Sequence, residues 1–169
     1  MALLVLALGN DLLGDDGIGL RAGDELEKKN ILGVKVIKSG LSGLYLIDLI
    51  EGFDDLLIID SIMGDEPGKV VHLKLSQLKP QVVPSAHYLG LPEALELARH
   101  SGLRMPKRVA IVAMQIANSQ EIGSGMSEDA QQCLPTLIGD ALSLISEWGY
   151  DVNAWRPNPS SKSNRSRRA

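Results

Sequence analysis

The sequence predicts a three-layer α/β/α sandwich built on a mostly parallel five-stranded sheet, with one edge strand antiparallel. Strand-like and helix-like segments alternate along the chain in the order β-α-β-α-β-β-α-β-α. Three of the strand segments are apolar runs of the length expected for strands buried on both faces. Such alternation places helices on both faces of a mostly parallel sheet. A chain of 169 residues is about one domain, which we assign to residues 1–152.

The first segment, LLVLAL (3–8), is uninterrupted by any polar residue and is predicted to be a central strand. A loop rich in Gly and Asp follows it. Residues 18–30 then place apolar side chains at helical spacing among charged ones, and Asn30 is expected to close that helix. The short segment VKVIK (34–38) is predicted to be the next strand.

The middle of the chain contains one further helix and two further strands. A helix is predicted at 44–52, with Ser42 as its cap and Gly52 as its end. DLLIID (55–60) is predicted to be a buried strand that ends at its last Asp. KVVHLKL (69–75) alternates apolar and polar residues, which is typical of a strand with one wetter face. We therefore place it at an edge of the sheet, antiparallel to its neighbour.

The last third of the chain repeats the helix–strand–helix order. Helical spacing predicts a helix at 91–102, and RVAIVAM (108–114) is predicted to be the last interior strand. The final helix is predicted at 126–148. Ser127, followed by two acidic residues, is a favourable start for it, and Pro135 is expected to kink it.

Composition excludes several classes of protein. Aromatic residues make up only 4% of the chain, so the core must be aliphatic. No apolar run reaches the roughly 18–20 residues of a membrane span, and no basic segment precedes the N-terminal apolar run as in a signal peptide. The single cysteine, Cys133, is expected to be a core residue and cannot form an internal disulfide. We therefore expect a cytoplasmic protein that does not contact membranes.

Charge is distributed unevenly between the body and the C-terminus. The formal net charge is −4, but residues 155–169 carry five basic residues and no acid, which leaves the rest of the chain at −9. An acidic body argues against nucleic-acid binding, which requires a clustered cationic face. The basic tail, 153–169, has too few apolar residues to fold and is predicted to be disordered.

Three separate stretches each contain a side chain that can bind a metal where an apolar run gives way to a turn. Asp16 lies in GNDLLGDDGIG, Asp60 in LLIIDSI and His87 in PSAHYLGL. The two aspartates follow strands that are predicted to be parallel, and ligands of such sheets collect at the carboxyl ends of the strands. His87 lies in a loop too long to be a simple connection, and such loops are usually functional or disordered. The sequence therefore predicts one site assembled from all three stretches.

Each of these residues also has an ordinary structural interpretation. An Asp after a strand is more often a turn former or helix cap, and a lone loop His is more often solvated or hydrogen-bonded, as we expect for His72 and His100. Of the adjacent pair Asp15 and Asp16, we expect Asp16 to face the site and Asp15 to cap the following helix or bond the loop backbone. The glycine-rich loop matches neither the dinucleotide-binding nor the P-loop pattern.

Taken in order, GNxLxGDDGxG, SGLSG, IIDSI, HxLGL and GMSEDA resemble the hydrogenase maturation endopeptidases, with the similarity running over residues 3–148. The resemblance implies that Asp16, Asp60 and His87 are the family's catalytic, nickel-binding trio, in an enzyme classified as an aspartic-type peptidase. Asp stands at position 16 where other branches of the family have Glu. It further implies that Gly40, Leu41, Ser42 and Gly43 contact substrate.

The activity implied by this resemblance is removal of a C-terminal peptide from the large-subunit precursor of a [NiFe] hydrogenase after nickel insertion. The nickel would arrive with the precursor and be recognised by the two aspartates and the histidine, because borderline Ni²⁺ accepts carboxylate and imidazole ligands. Neither a Ser-His-Asp or reactive Cys arrangement nor an H-E-x-x-H motif is evident in the sequence. We expect the protein to act as a monomer.

Two alternatives remain open from the residues alone. A receiver-like phosphoacceptor domain could use Asp15, Asp16 and Asp60, although residues 110–119 lack the Lys such a domain needs and His87 would have no role. A noncatalytic metal-binding adaptor would keep the same ligands and cleave nothing.

Overall fold

The computed structural model describes residues 1–78, 85–117, 122–123 and 125–154. A five-stranded sheet with the order β2-β1-β3-β5-β4 lies at the centre. The strands are β1 (Leu3–Leu8), β2 (Val34–Ser39), β3 (Asp55–Met63), β4 (Val70–Lys74) and β5 (Arg108–Ile116). All pairs are parallel except the edge pair β4–β5, which is antiparallel. The predicted fold class is confirmed, including the antiparallel edge.

Helices cover both faces of the sheet. They are α1 (Ile18–Lys29), α2 (Ile47–Ile50), α3 (Leu91–His100) and α4 (Glu128–Glu147), with 3-10 turns at Gly14–Gly17, Gly43–Leu46, Leu75–Gln77 and Ala86–Tyr88. Because side chains alternate along a strand, β1 sends Leu4 and Leu6 towards α2 and α3, and Leu3 and Val5 towards α1 and α4. Both resulting core clusters are largely aliphatic, as the composition predicts.

Helix ends largely follow the sequence signals. Asn30 adopts a left-handed conformation (φ 47°) at the end of α1. The Ser127 side chain accepts a hydrogen bond from the Ala130 N–H at the start of α4, as expected. Helix α4 continues through Pro135 to Glu147. None of the helices in the described ranges is long and apolar enough to cross a membrane.

The helix predicted at 44–52 is much shorter than expected. The chain forms a 3-10 turn at Gly43–Leu46 and then only one α-helical turn, Ile47–Ile50, and the Ser42 side chain makes no capping hydrogen bond. Leu44 and Tyr45 remain exposed to solvent. One turn is enough to bury the remaining apolar side chains of this segment, so a longer helix would gain little. Gly52, at φ 90°, lies just beyond its end as predicted.

Strand β3 extends three residues beyond the predicted end, so Asp60 lies inside the strand rather than at its end. The continuation is stabilised by β5, which pairs with β3 as far as Met63 opposite Ile116. The pairing of β3 with β1 instead stops at Ile59. Asp60 therefore occupies the first position of β3 beyond its last pair with β1, at the carboxyl end of β1 where the predicted site lies.

Of the predicted disordered tail, 153–169, residues 155–169 lie outside the described residues, as do positions 79–84 of the loop before His87. The three side chains expected to have ordinary structural roles have them. His72 bonds Asp140, the His100 ring bonds the Glu96 carbonyl, and Cys133 is buried in the core.

Candidate active site

The candidate site lies at the carboxyl ends of β1 and β3, against the start of α1. Gly19 allows this close packing, since a Cβ there would lie 2.2 Å from the Leu8 carbonyl oxygen and 2.7 Å from that of Ile59. A Cβ on Gly9, whose φ is 154°, would likewise lie 2.3 Å from the Asp16 carbonyl oxygen. The glycines therefore bring the Asp16 loop onto the two strand ends.

Asp16 is half-buried and both of its carboxylate oxygens accept hydrogen bonds. Ser61 Oγ donates to Oδ1 at 2.6 Å, and the Asn10 N–H donates to Oδ2 at 3.0 Å. The first bond joins the loop after β1 to β3, and the second holds the loop itself. Asp16 is thus fixed in orientation next to Asp60, the neighbour of Ser61.

Asp60 is fully buried and joins β3 to the segment that carries His87. Its Oδ1 accepts the Ser61 N–H at 2.8 Å, and its Oδ2 accepts Ser85 Oγ at 3.1 Å. His87 Nδ1 lies 2.9 Å from the same Oδ2. Because an ionised carboxylate only accepts hydrogen bonds, Nδ1 carries the proton in this contact. One hydrogen-bonded chain therefore connects the predicted residues Asp16, Asp60 and His87.

The charge state of His87 is set by opposing effects. Burial lowers the pKa of His87, but the hydrogen bond to Asp60 and the negative charges of Asp60 and Asp16 outweigh it. The pKa of His87 is therefore raised above its usual 6.5. The imidazole lies at the edge of the site, with 13% of its side chain exposed.

Two serines at this site, Ser61 and Ser85, were not predicted from the sequence. Both are close in sequence to predicted site residues, one directly after Asp60 and the other two residues before His87. Ser85, His87 and Asp60 lie within hydrogen-bonding distance of one another, but they do not form a serine-protease relay. In that relay Ser and Asp bond opposite ring nitrogens, whereas here both contact Nδ1.

The Asp15 side chain is directed away from Asp16 and forms hydrogen bonds at the start of a different helix, α4. Its carboxylate accepts the Ser127 N–H and the Ser127 hydroxyl, both at 2.7 Å, at the start of α4. The sequence predicts that Asp15 caps the following helix or bonds the loop backbone, and the structure adds a contact that it does not predict, with the start of α4. The acidic pair of a receiver-like site is split by this arrangement.

The predicted substrate-contact segment, residues 40–43, lies beside the His87 segment. A Cβ on Gly43 would be 2.3 Å from the Leu89 carbonyl oxygen, and Gly43 adopts φ 53°. Several large apolar side chains around this junction are exposed, namely Leu41, Leu44, Tyr45 and Leu89. Exposed apolar groups in a cluster are typical of an interaction surface.

Carboxylates and an imidazole form a donor set that suits borderline divalent metals such as nickel. Across residues 1–78, 85–117, 122–123 and 125–154, however, no three His, Cys, Asp or Glu side chains form a group that could hold a metal ion. Since Nδ1 faces Asp60, Nε2 faces away from it, and the two residues cannot ligate one ion in this arrangement.

Comparison with known proteins identifies the family. Residues 20–144 match the family model described as hydrogenase maturation protease. The chain belongs to the hydrogenase maturation protease family. It is 30% identical, over 89% of its length and 81% of the relative, to the hydrogenase expression/formation protein HupD of Bradyrhizobium diazoefficiens. It is 29% identical to the Escherichia coli hydrogenase 2 maturation protease, over 90% of this chain and 95% of that one.

Solved structures of hydrogenase maturation proteases share the fold. The hydrogenase maturating endopeptidase HybD of E. coli superposes with a TM-score of 0.77 at 28% identity, covering 89% of this chain and 96% of that one. The [NiFe] hydrogenase maturation protease HybD of Thermococcus kodakarensis gives 0.67 at 29% identity, covering 85% and 99%. The chain is therefore a hydrogenase maturation endopeptidase, and the receiver-like alternative is wrong.

Proposed function

We propose that this endopeptidase removes a C-terminal extension from a [NiFe] hydrogenase large-subunit precursor after nickel has been inserted. The observation that carries the proposal is the hydrogen-bonded chain from Asp16 through Ser61 and Asp60 to His87. It places two carboxylates and one imidazole at the carboxyl end of a parallel sheet, where such folds bind their ligands. The relative from T. kodakarensis is itself described as a [NiFe] hydrogenase protease.

In this proposal the nickel is cargo of the precursor and is recognised by Asp16, Asp60 and His87. An ion that brings ligands of its own needs only some of its positions filled by the protease, and carboxylate and imidazole are suitable donors. The His87 ring must turn from Asp60 for all three residues to reach one ion. Nickel in the precursor would then be the signal that the subunit is ready for cleavage.

The same three residues are proposed to carry out the cleavage. An aspartic-type mechanism requires a carboxylate that takes a proton from the attacking water. Asp16 is partly exposed whereas Asp60 is fully buried, so Asp16 is the carboxylate better placed to meet water. Asp60 is better placed to orient the imidazole of His87.

Residues Gly40, Leu41, Ser42 and Gly43 are proposed to contact the precursor. The segment adjoins the His87 segment and presents exposed apolar side chains, with Leu41 46% exposed. Burying such side chains against a partner is favourable, because it removes apolar surface from water. We further propose that residues 1–152 form a single domain and that the enzyme acts as a monomer in the cytoplasm.

The decisive experiment incubates the purified protein with nickel-loaded and with nickel-free precursor and follows loss of the extension by mass spectrometry. We expect cleavage of the nickel-loaded precursor only. Asp16→Ala and His87→Ala should abolish cleavage without unfolding the protein. His72→Ala is the matched control, since His72 also bonds an aspartate but lies in the edge strand β4, where its partner Asp140 belongs to α4. Equal cleavage of both precursors would refute nickel recognition, and binding without cleavage would favour the adaptor.

A further inference from the structure

Ser85 makes three contacts at the junction of Asp60 and His87. Its hydroxyl donates to Oδ2 of Asp60 at 3.1 Å, since an ionised carboxylate can only accept. Its Oγ also lies 3.1 Å from Nδ1 of His87 and accepts the backbone N–H of the same residue at 3.3 Å. Ser85 thus contacts the side chain and the backbone of His87, together with the carboxylate that His87 bonds.

The two contacts between Ser85 and His87 respond differently to a rotation of the imidazole. Turning the ring changes the side-chain dihedral angles and moves Nδ1, whereas the backbone N–H stays in place. A hydrogen bond from a backbone N–H to a serine side chain two residues earlier is a common local motif that fixes a short turn. The bonds of Ser85 to the His87 backbone and to Asp60 can therefore persist when the bond between His87 Nδ1 and Asp60 breaks.

The Asp60 carboxylate needs donors in either position of the imidazole, because it is fully buried. A buried charged group that is left without a hydrogen-bond partner costs free energy. Rotation of the ring removes the 2.9 Å bond from His87 to Oδ2, but the Ser85 hydroxyl remains on the same oxygen. Oδ1 keeps the Ser61 N–H. Both oxygens of Asp60 therefore stay hydrogen-bonded while the imidazole is turned away.

We propose that Ser85 is a positioning residue that holds the His87 backbone against Asp60 while the imidazole turns to bind the precursor's nickel. The trigger, nickel binding by His87, rests on the proposed function, whereas the hydrogen bonds that hold the segment belong to this chain alone. A carboxylate oxygen has two lone pairs, so the Ser85 hydroxyl occupies one on Oδ2 and the departing imidazole frees the other for the ion. Asp60 and His87 thereby stay close enough to meet one ion.

Ser127 provides a matched control with the same kinds of hydrogen bond. Its hydroxyl also donates to a carboxylate, Oδ2 of Asp15 at 2.7 Å, and accepts a backbone N–H, that of Ala130 at 3.2 Å. These bonds hold the start of α4 rather than the His87 segment. A difference between Ser85→Ala and Ser127→Ala therefore reports on the His87 segment and not on the general cost of losing such bonds.

A thermodynamic cycle without metal or precursor tests whether Ser85 keeps Asp60 paired when the imidazole is gone. Thermal unfolding midpoints are measured for Ser85→Ala in the unmodified protein and in the His87→Ala background. The bond to the backbone of residue 87 is lost in both backgrounds and cancels. Without the imidazole, Oδ2 of Asp60 depends more on Ser85, so Ser85→Ala should lower the midpoint by about 2–4 °C more in that background. Ser127→Ala should lower it equally in both. An equal effect of Ser85→Ala in both backgrounds overturns the proposal.

Cleavage kinetics give a second measurement that needs no His87 variant. Ser85→Ala should raise KM for nickel-loaded precursor about tenfold, with a smaller change in kcat, because Asp60 and His87 are no longer held together for the ion. Ser85→Thr, which keeps a hydroxyl, should restore KM, and Ser127→Ala should leave it unchanged. An unchanged KM in Ser85→Ala, or a Thr variant as impaired as the Ala variant, contradicts the proposal. Absence of cleavage by the unmodified enzyme would refute the proposed function instead, and the unfolding midpoints would then decide the role of Ser85.

Discussion

His87 Nδ1 lies 2.9 Å from Oδ2 of Asp60, and this contact joins a largely buried imidazole to a fully buried carboxylate. It orients the ring and fixes its tautomer, since only a protonated Nδ1 can donate to the carboxylate. It also keeps the two residues from sharing one metal ion in the described conformation. The same bond therefore orients the site, and under the proposed function it must break for both residues to ligate nickel.

Replacing Asp60 with Asn should lower the pKa of His87. Burial lowers the pKa of His87, and the Asp60 carboxylate raises it. Without that carboxylate, mainly the charge of Asp16 would oppose the lowering by burial. A raised folded-state pKa stabilises the protein below the unfolded value of about 6.5, and this contribution is lost as pH rises through the folded value. In the unmodified protein, NMR titration of the His87 ring should give a raised pKa, and the unfolding midpoint should fall as pH rises through neutral. Neither effect is expected in Asp60→Asn. An unchanged His87 titration would contradict this account.

Gly19→Ala should destabilise the protein strongly. The added Cβ would lie 2.2 Å and 2.7 Å from the carbonyl oxygens of Leu8 and Ile59, so α1 must move off the strand ends. We expect a loss of more than about 2 kcal/mol in the free energy of unfolding, with reduced cleavage. Gly139→Ala is the matched control in α4, where a Cβ meets nothing within 4 Å. It should stabilise the protein by up to about 1 kcal/mol.

Asp15→Ala should reduce stability more than catalysis. The change removes two hydrogen bonds to Ser127 at the start of α4, with an expected cost of about 1–3 kcal/mol in denaturant unfolding. Cleavage should fall far less than in Asp16→Ala. Asp11→Ala, at an exposed position of the same loop, should leave both unchanged. Complete loss of cleavage in folded Asp15→Ala would instead place Asp15 in the catalytic machinery.

Asp55→Asn should remove a pH-dependent part of the stability. Hydrogen bonds from Arg108 hold the pKa of Asp55 below 3.8 against the effect of burial, and Tyr150 adds to the lowering. A depressed pKa stabilises the fold above the unfolded value of about 3.9, and the contribution is lost as pH falls through the folded value. We expect a loss of about 2–4 kcal/mol at pH 7 that shrinks in acid. Tyr150→Phe, which removes one 2.7 Å bond to Asp55, should cost less.

Leu41→Ser should weaken precursor binding without changing stability. Leu41 is 46% exposed beside the His87 segment, so its truncation removes contact surface rather than core packing. We expect KM to rise several-fold, in line with about 1 kcal/mol for one apolar contact. Leu32→Ser is the matched control. Leu32 is 45% exposed in the turn before β2, whereas Leu41 follows the other end of the same strand. Equal effects of both changes would remove the 40–43 segment from the proposed interface.

Much of the fold could be predicted because the pattern of apolar and polar residues along the chain reflects which positions are buried. The apolar run at 3–8 and the alternation at 69–75 identify an interior and an edge strand, and the structure has both. The helix at 44–52 was predicted too long, because spacing alone does not tell whether the apolar side chains have a surface to pack against. The end of β3 depended on its neighbour β5, whose pairing no local pattern reveals.

The sequence by itself determined the fold class and the candidate residues Asp16, Asp60 and His87. Apolar periodicity and the type of metal-binding side chain can both be recognised within short segments of the chain. Only the tertiary structure decided how these residues are connected. Hydrogen bonds between distant segments separate Asp15 from Asp16 and introduce Ser61 and Ser85. Such bonds depend on distance and direction across the sheet, which the order of residues along the chain does not specify.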